Sequence, residues 1–160
     1  MITGVVSEQD YVEAQRVHRQ PLATKFNWAL GVVTLGGLAL IVLGIKPWGL
    51  MATIGGICGF IGEAIQAKVY VPAIARKHYH QFKGIETPIT YRWDTDGLSV
   101  QSDRGAGERK WKDFLKVRES DQVFLLYTTD VLFEVVPKRW FGSPEQALEF
   151  GALAKGTRET

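Results

Sequence analysis

Few residues in this sequence have the types and spacing that chemistry on a substrate would need. Asp94, Asp96 and Asp103 lie in turn-like segments, where aspartate is common because its carboxylate bonds nearby backbone N–H groups. The segment DRGAGE at 103–108 lacks the spacing of a phosphate-binding P-loop. No nucleophile stands beside a recognisable base, so we expect no catalytic residue, no cofactor and no enzymatic activity.

Metal-ligating residues are equally sparse. His78 and His80 are separated by one residue, and on a helix their side chains point in different directions. No cysteine or carboxylate accompanies them at ligand spacing. The sole cysteine, Cys58, lies inside an apolar run and excludes an intrachain disulfide. We therefore expect no metal site.

Basic residues are the remaining candidates for recognition. The formal net charge is only +2 with acids and bases nearly balanced, which argues against a nucleic-acid partner. In the C-terminal half, however, lysines and arginines recur where a strand would direct them to solvent. We predict a contact surface for a membrane protein partner or for anionic lipid headgroups, formed by Lys110, Lys112, Lys116, Arg118, Lys138 and Arg139. The acidic segment DTDG at 94–97 argues against a phosphoinositide-type headgroup site.

The segments that must position these residues begin with a long apolar run. Residues 26–67 contain only Lys46 and Glu63 as charges. A helix over 26–45 would be roughly 30 Å long, the thickness of bilayer hydrocarbon, and a second helix over 47–67 would return. The segment GIKPWG at 44–49 would form the tip, with Pro47 starting the second helix. We predict a transmembrane hairpin; a buried helical pair in a soluble protein is the alternative.

Charges near the ends of the two spans predict their orientation. Lysines and arginines flank both outer ends, whereas the tip carries Lys46 alone, so both termini should face the cytoplasm. About 25 mostly polar residues precede the first span, so we do not expect a cleavable signal peptide. We expect Glu63 to lie near the interface and to pair with Lys68 or Lys25 rather than to serve a proton path.

Glycines would let the two spans approach closely. Gly36 and Gly37 on the first span, and Gly55, Gly56 and Gly59 on the second, fall at matching heights in an antiparallel hairpin. We predict that these small residues pack the two helices together. The Gly55-x-x-x-Gly59 spacing also leaves open a dimer face, and hence a homo-oligomer.

The flanks of the hairpin predict further helices. Ser7 and Asp10 mark the start of an N-terminal helix that Pro21 should stop or bend. After the second span, a helical extension to residue 84 should kink at Pro72. Near the C-terminus, the segment GSPEQ at 142–146 has the residues of a helix start, with a serine cap and a proline in the first turn.

Between these helices, from Ile85, the apolar period changes to two. About six antiparallel strands should follow, with Leu115 facing the core, residues 123–127 buried on both faces and Glu134 exposed. The fold class predicted is an α+β membrane protein, with a transmembrane hairpin before a small antiparallel half-barrel of pleckstrin-homology type and a C-terminal helix. The predicted domains are an N-terminal cytoplasmic helix at 1–25, the hairpin with its extension at 26–84, and a cytoplasmic β domain at 85–160.

Several short motifs together resemble a known family. They are WKDF at 111–114, FLLY at 124–127, VVPKR at 135–139, SPE at 143–145 and, near the N-terminus, DYVEAQR at 10–16. Their order is similar to that of the YcxB-like family of bacterial membrane proteins. The resemblance implies a two-span protein of the inner membrane with a small cytoplasmic β domain and no established activity. We therefore expect a membrane-anchored binding or scaffolding module; an accessory subunit of a membrane enzyme or transporter is the alternative.

Overall fold

The computed structural model describes residues 1–81 and 87–156, which form two compact units. One, here called the β unit, contains residues 1–18 together with the chain from residue 75 onward. The other, here called the hairpin unit, contains residues 19–74. The N-terminal residues thus share a unit with the strands, whereas the predicted domain boundaries at residues 25 and 84 stay a prediction.

Two long apolar helices account for most of the hairpin unit. Helix α1 covers Glu8–Val42, beginning in the β unit, and helix α2 covers Lys46–Ile65 with Pro47 in its first turn. Both helical stretches are long and apolar enough to cross a membrane. The turn between them contains Gly44 with a φ of 85°, a left-handed backbone that glycine adopts without strain.

The start of α1 is confirmed as predicted. The Ser7 backbone N–H and hydroxyl both donate to Asp10 Oδ2, over 2.8 Å and 2.7 Å, and the Asp10 N–H donates to Ser7 Oγ over 3.2 Å. This reciprocal cap satisfies N–H groups that have no partner within the helix.

Of the two predicted effects of Pro21, the stop was wrong, because α1 continues through this residue, and the bend stays a prediction. Proline lacks the N–H that would bond the carbonyl of residue 17. In the β unit, Arg118 Nη1 lies 3.5 Å from the Val17 carbonyl oxygen and donates to that of His18 over 2.8 Å. Pro21 leaves one helix turn without a backbone N–H donor. The Arg118 side chain of the β unit supplies donors to the carbonyl groups of that turn.

The helical extension after α2 contains a change of helix type. A π-helical turn covers Gln66–Tyr70 and helix α3 covers Val71–Gln81. Pro72 is the second residue of α3 and follows the π-helical turn closely; the kink predicted there stays a prediction. The last residues of the predicted extension, 82–84, lie outside the described residues.

The β unit contains two antiparallel sheets. The first has the strand order β1-β2-β3-β4, with β1 at Ile2–Gly4, β2 at Ile89–Trp93, β3 at Gly97–Ser102 and β4 at Gly105–Lys110. The second has the order β5-β6-β7, with β5 at Lys116–Glu119, β6 at Val123–Tyr127 and β7 at Phe133–Pro137. Strands β2 to β7 agree with the predicted number of about six. Strand β1 was not predicted; its Ile2 lies opposite Tyr91 of β2.

Helix α4, Pro144–Gly156, closes the main core of the β unit. It begins at Ser143, whose Oγ accepts the Gln146 N–H over 3.3 Å. Its Phe150 is buried, with its ring centroid 5.1 Å from that of Trp93 and 5.4 Å from that of Phe124. The core residues therefore come from both sheets and the helix: Ile2, Tyr91, Leu98, Trp111, Phe114, Phe124, Leu126, Val136, Phe150 and Ala154.

A second core lies on the other side of β6. Ala14 and Val17 of α1 pack there with Val123, Leu125 and Tyr127, so the prediction that 123–127 is buried on both faces is confirmed.

Two predicted orientations were wrong. Leu115 is 54% exposed and Phe114 is buried instead, because the 3₁₀ turn at Trp111–Asp113 interrupts the strand alternation just before β5. Glu134 is only partly exposed, because the Arg109 side chain of β4 pairs with it at 3.5 Å.

Candidate contact surface

The six predicted contact cations lie on neighbouring segments of the β unit but differ in what holds them. They are Lys110 at the end of β4, Lys112 in the following 3₁₀ turn, Lys116 and Arg118 on β5, and Lys138 and Arg139 in the 3₁₀ turn after β7. Four of them have partners inside the unit and two do not. The surface is therefore not a uniform field of free charge.

Lys116 and Arg118 both pack over one buried aromatic ring. Lys116 Nζ lies 4.9 Å from the ring centroid of Tyr127 and 2.5 Å from Asp130 Oδ1, and this ammonium holds the pKa of Asp130 below its usual range. The Arg118 guanidinium lies 5.3 Å from the same centroid while it donates into α1. Arg118 therefore joins α1, β5 and β6, and Lys116 joins β5 to β6 and to the turn that follows it, so that neither is free of contacts within the unit.

His18 of α1 completes this aromatic cluster. Its Nδ1 lies 2.9 Å from Tyr127 Oη, and its ring stacks on Tyr127 and Phe133 with centroid distances of 5.7 Å and 5.2 Å. Burial lowers the pKa of His18, and the neighbouring Arg118 and Lys116 lower it further. Sequence reasoning did not mark His18; the available signal was its position four residues after Ala14, on the buried side of the helix.

Lys138 belongs to a three-residue ion cluster beside α4. Its Nζ donates to Glu119 Oε1 over 2.6 Å, and Lys155 of α4 donates to Glu119 Oε2. Burial alone would raise the pKa of Glu119, but the two lysines outweigh it and hold that pKa below its usual range. A groove of about 460 Å³ lies alongside, lined by Glu119, Phe124, Lys138, Phe141, Gly142, Ser143, Pro144, Ala147 and Leu148.

Arg139 is tied to the N-terminal segment. Its Nη2 donates to Asp10 Oδ2 over 2.6 Å and to the Val5 carbonyl oxygen over 2.7 Å. Asp10 is buried, which alone would raise its pKa, but the hydrogen bonds from Arg139 and Ser7 outweigh burial and hold the pKa of Asp10 below its usual range. Arg139 therefore stabilises the start of α1.

Lys110 and Lys112 are exposed, and neither has an ion pair among the described residues. Lys110 borders a groove of about 570 Å³ between strands β2, β3 and β4. The charges around that groove are mixed: the bases Arg92, Arg109 and Lys110 alternate with the acids Asp94, Asp96, Glu108 and Asp113. A lining of mixed charge favours neither an anionic nor a cationic ligand.

The predicted packing glycines of the hairpin separate into two sets. A Cβ added at Gly37 would lie 2.6 Å from the Thr53 backbone N, and one at Gly56 or Gly59 would strike Thr34 or Leu30. At Gly36 and Gly55, an added Cβ would meet nothing within 4 Å. Gly36 and Gly55 thus do not lie at a close approach of the two helices, whereas Gly37, Gly56 and Gly59 do; a dimer face at Gly55-x-x-x-Gly59 stays a prediction.

Glu63 pairs within the hairpin, but not with the expected lysines. Its Oε2 accepts from Arg19 Nη2 over 2.8 Å, so the expected partners Lys68 and Lys25 were wrong. Glu63 lies seven residues after Gly56 and fourteen after Gly49, and all three are buried. Because seven residues make about two helical turns, the acid continues the packed side of α2, which explains why it meets α1.

Glu134, which was expected to be exposed, is a partly buried acid. Burial raises its pKa, which Arg109 partly opposes, and its Oε2 has no hydrogen-bond partner among the described residues. The same carboxylate adds to the effect of burial in raising the pKa of Tyr91. The alternating pattern of β7, an edge strand, places Glu134 on the solvent side and does not reveal that it is partly buried.

The described residues contain no group of three His, Cys, Asp or Glu side chains placed to hold a metal ion. His80 instead lies 3.2 Å from Glu8, which also pairs with Arg76 at 3.0 Å. These contacts tie α3 to the start of α1.

Comparison with known proteins adds one match. No curated protein and no solved structure matches the chain. A family model described as YcxB-like protein matches residues 93–154, which run from the end of β2 almost to the end of α4. The C-terminal part of this chain is therefore similar to the YcxB-like domain.

Proposed function

We propose that this protein is a membrane-anchored binding or scaffolding module of the bacterial inner membrane. The hairpin unit would cross the membrane twice, and the β unit, a half-barrel of pleckstrin-homology type, would be held at the inner leaflet. The activity would lie in recruitment of a partner and not in catalysis.

The supporting observation is that the apolar helices bury little of their own surface. Only 6% of the apolar window in α1 and 17% of that in the stretch beginning with α2 is buried. Large side chains such as Trp28, Leu35 and Leu43 are more than two-thirds exposed. Exposed apolar surface of this extent marks a membrane or protein contact, and the length of both helices favours the membrane.

The orientation proposed keeps both termini in the cytoplasm. Arg16, Arg19 and Lys25 precede the apolar run and Lys68 and Lys77 follow it, whereas the tip carries only Lys46. Because cytoplasmic flanks carry the excess of lysine and arginine, the tip should face outward.

Within the predicted contact surface, Lys110 and Lys112 are the strongest candidates for an external partner. Their charges have no partner within the described chain, whereas the other four cations already contact acids, carbonyl groups or aromatic rings of the β unit. The partner proposed is an acidic surface of another membrane protein or an anionic headgroup.

The experiment is recovery of partners from the full chain in mild detergent, followed by mass spectrometry and by binding to anionic vesicles. Lys110→Gln with Lys112→Gln should reduce recovery or vesicle binding without changing the unfolding midpoint, since exposed lysines contribute little to stability. Lys110→Arg with Lys112→Arg is the matched control and should retain binding because it retains charge. Equal binding by the Gln and Arg pairs would contradict this role.

A further inference from the structure

The turn between β6 and β7 exposes adjacent aliphatic side chains. Val131 is 71% exposed and Leu132 is 63% exposed. In the register of the sheet, Lys116 and Phe133 both lie opposite Tyr127. Leu115 precedes Lys116 and Leu132 precedes Phe133. These two exposed leucines therefore lie on either side of Thr128, at the same end of the sheet. Three large aliphatic residues thus share one end of the β unit.

Four backbone N–H groups of this turn are paired within the turn itself. Those of Thr128 and Thr129 donate to the Leu132 carbonyl oxygen over 3.0 Å and 3.3 Å. Those of Val131 and Leu132 donate to Thr129 Oγ1 over 3.3 Å and 2.9 Å. Because an unpaired N–H is costly away from water, a turn with these groups already paired can enter an apolar layer at low cost.

The one acid in the turn is also compensated. Asp130 is paired with Lys116 at 2.5 Å, and Arg118 lies on the same strand as that lysine. This acid therefore does not give the turn the uncompensated negative charge that an anionic membrane surface would repel.

Chain connectivity indicates what covers this end of the unit. His18, the last residue of the β unit before the hairpin unit, stacks on Tyr127 and Phe133, which flank the turn. Only residues 19–25 separate His18 from the apolar run that starts at Phe26. Even fully extended, that connection reaches at most about 28 Å. An inserted hairpin would therefore keep this end of the sheet close to the lipid surface.

We propose that Val131 and Leu132, with Leu115 beside them, insert into the boundary between headgroups and acyl chains of the bilayer that holds the hairpin. This inference rests on the membrane anchoring proposed above. Aliphatic side chains gain free energy by leaving water at that boundary, as the apolar faces of interfacial helices do. The contact would fix the orientation of the β unit at the membrane.

The test places a fluorescent probe at the turn in the full chain. Single cysteines at Val131 and, as a control, at the exposed Asp103 of the β3–β4 turn are introduced with Cys58 replaced by serine. Each is labelled with an environment-sensitive dye and reconstituted in vesicles of phosphatidylcholine and phosphatidylglycerol. The Val131 probe should be quenched by lipid-attached nitroxide and protected several-fold from aqueous iodide relative to the Asp103 probe. Adding Leu132→Asp should remove that protection, whereas Leu148→Asp on the exposed side of α4 should not.

Alkaline extraction of the same vesicles separates the two proposals. Protein that is released by carbonate would contradict the membrane anchor itself. Protein that is retained, with both probes equally open to iodide, would overturn the insertion of the turn alone. Protection from iodide without nitroxide quenching would also overturn it, because the turn would then be covered by another protein surface.

Discussion

Arg139, in the turn before α4, and Asp10, in the first turn of α1, lie 2.6 Å apart at their nearest charged atoms. The pair joins positions 129 residues apart in the sequence. Because Asp10 is buried and also caps α1 through Ser7, loss of its charge would affect both the helix start and the contact between the two ends of the chain.

This pair predicts a loss of stability in acid. The pKa of Asp10 is held below its usual 3.8, so between the two values the unfolded chain binds more protons than the folded one. The stabilisation that Asp10 contributes should be complete at pH values above its usual pKa. It should be lost as the pH falls through the lower pKa of the folded state. Asp10→Asn should cost about 1–3 kcal/mol near neutral pH and flatten this acid dependence. Denaturant unfolding in detergent, followed by tryptophan fluorescence at several pH values, measures the cost of the substitution and the pH dependence of stability.

The exposed acid Asp103 provides the control for Asp10. Asp103→Asn should change the unfolding free energy by no more than about 0.5 kcal/mol. A cost at Asp10 no larger than this would show that the contact with Arg139 does not stabilise the unit.

Because the β unit includes residues 1–18, a stable fragment of it should contain them. Residues 85–160 alone would lack β1 and would leave Val123, Leu125 and Tyr127 without Ala14 and Val17. Each uncovered side chain forfeits up to about 1.5–3 kcal/mol of burial. We therefore expect a fragment that links residues 1–18 to 75–160 through a flexible linker to be soluble with a clearly higher thermal midpoint than 85–160 alone. Equal midpoints in circular dichroism would show that the N-terminal residues are dispensable.

The elements that sequence reasoning found are those with strong local signals. Alternation predicted about six strands after Ile85, Ser7 and Ser143 predicted two helix starts, and the length of the apolar run predicted the two long helices. Strand β1 has only three residues, and its pairing with β2 is a tertiary contact across most of the chain, so no local pattern could predict it. The stop expected at Pro21 was wrong for a related reason, because Arg118, which donates to the carbonyls of that part of α1, lies far away in sequence.

The candidate surface was harder to predict than the fold. Period-two alternation correctly directs Lys116 and Arg118 away from the main core, but the sequence does not reveal that α1 covers that side of the sheet. Side chains that alternation assigns to solvent therefore meet Tyr127 and the carbonyls of α1. Lys110 and Lys112, by contrast, are exposed, as alternation alone would suggest for the end of β4.

Two adjacent glycines of α1 offer a matched test of the hairpin packing. Gly37→Ala would place a Cβ 2.6 Å from the Thr53 backbone N and 2.8 Å from the Gly49 carbonyl oxygen, so the helices would have to separate. Gly36→Ala meets nothing and should raise stability by about 0.5–1 kcal/mol through better helix propensity. Thermal unfolding in mild detergent should thus move in opposite directions for the two variants. Equal shifts would contradict the packing described.

The most direct test of the membrane hairpin is the accessibility of its tip. The cysteine is best placed at Leu43, which is 73% exposed, because a Cβ at Gly49 would lie 2.6 Å from the Ile41 side chain. With Cys58 replaced by serine, Leu43→Cys and Asp103→Cys are treated on spheroplasts with a membrane-impermeant thiol reagent. The proposed topology predicts immediate labelling at Leu43 and labelling at Asp103 only after permeabilisation. Labelling of both positions at the same rate before permeabilisation, or of neither until permeabilisation, would contradict a hairpin that crosses the membrane twice.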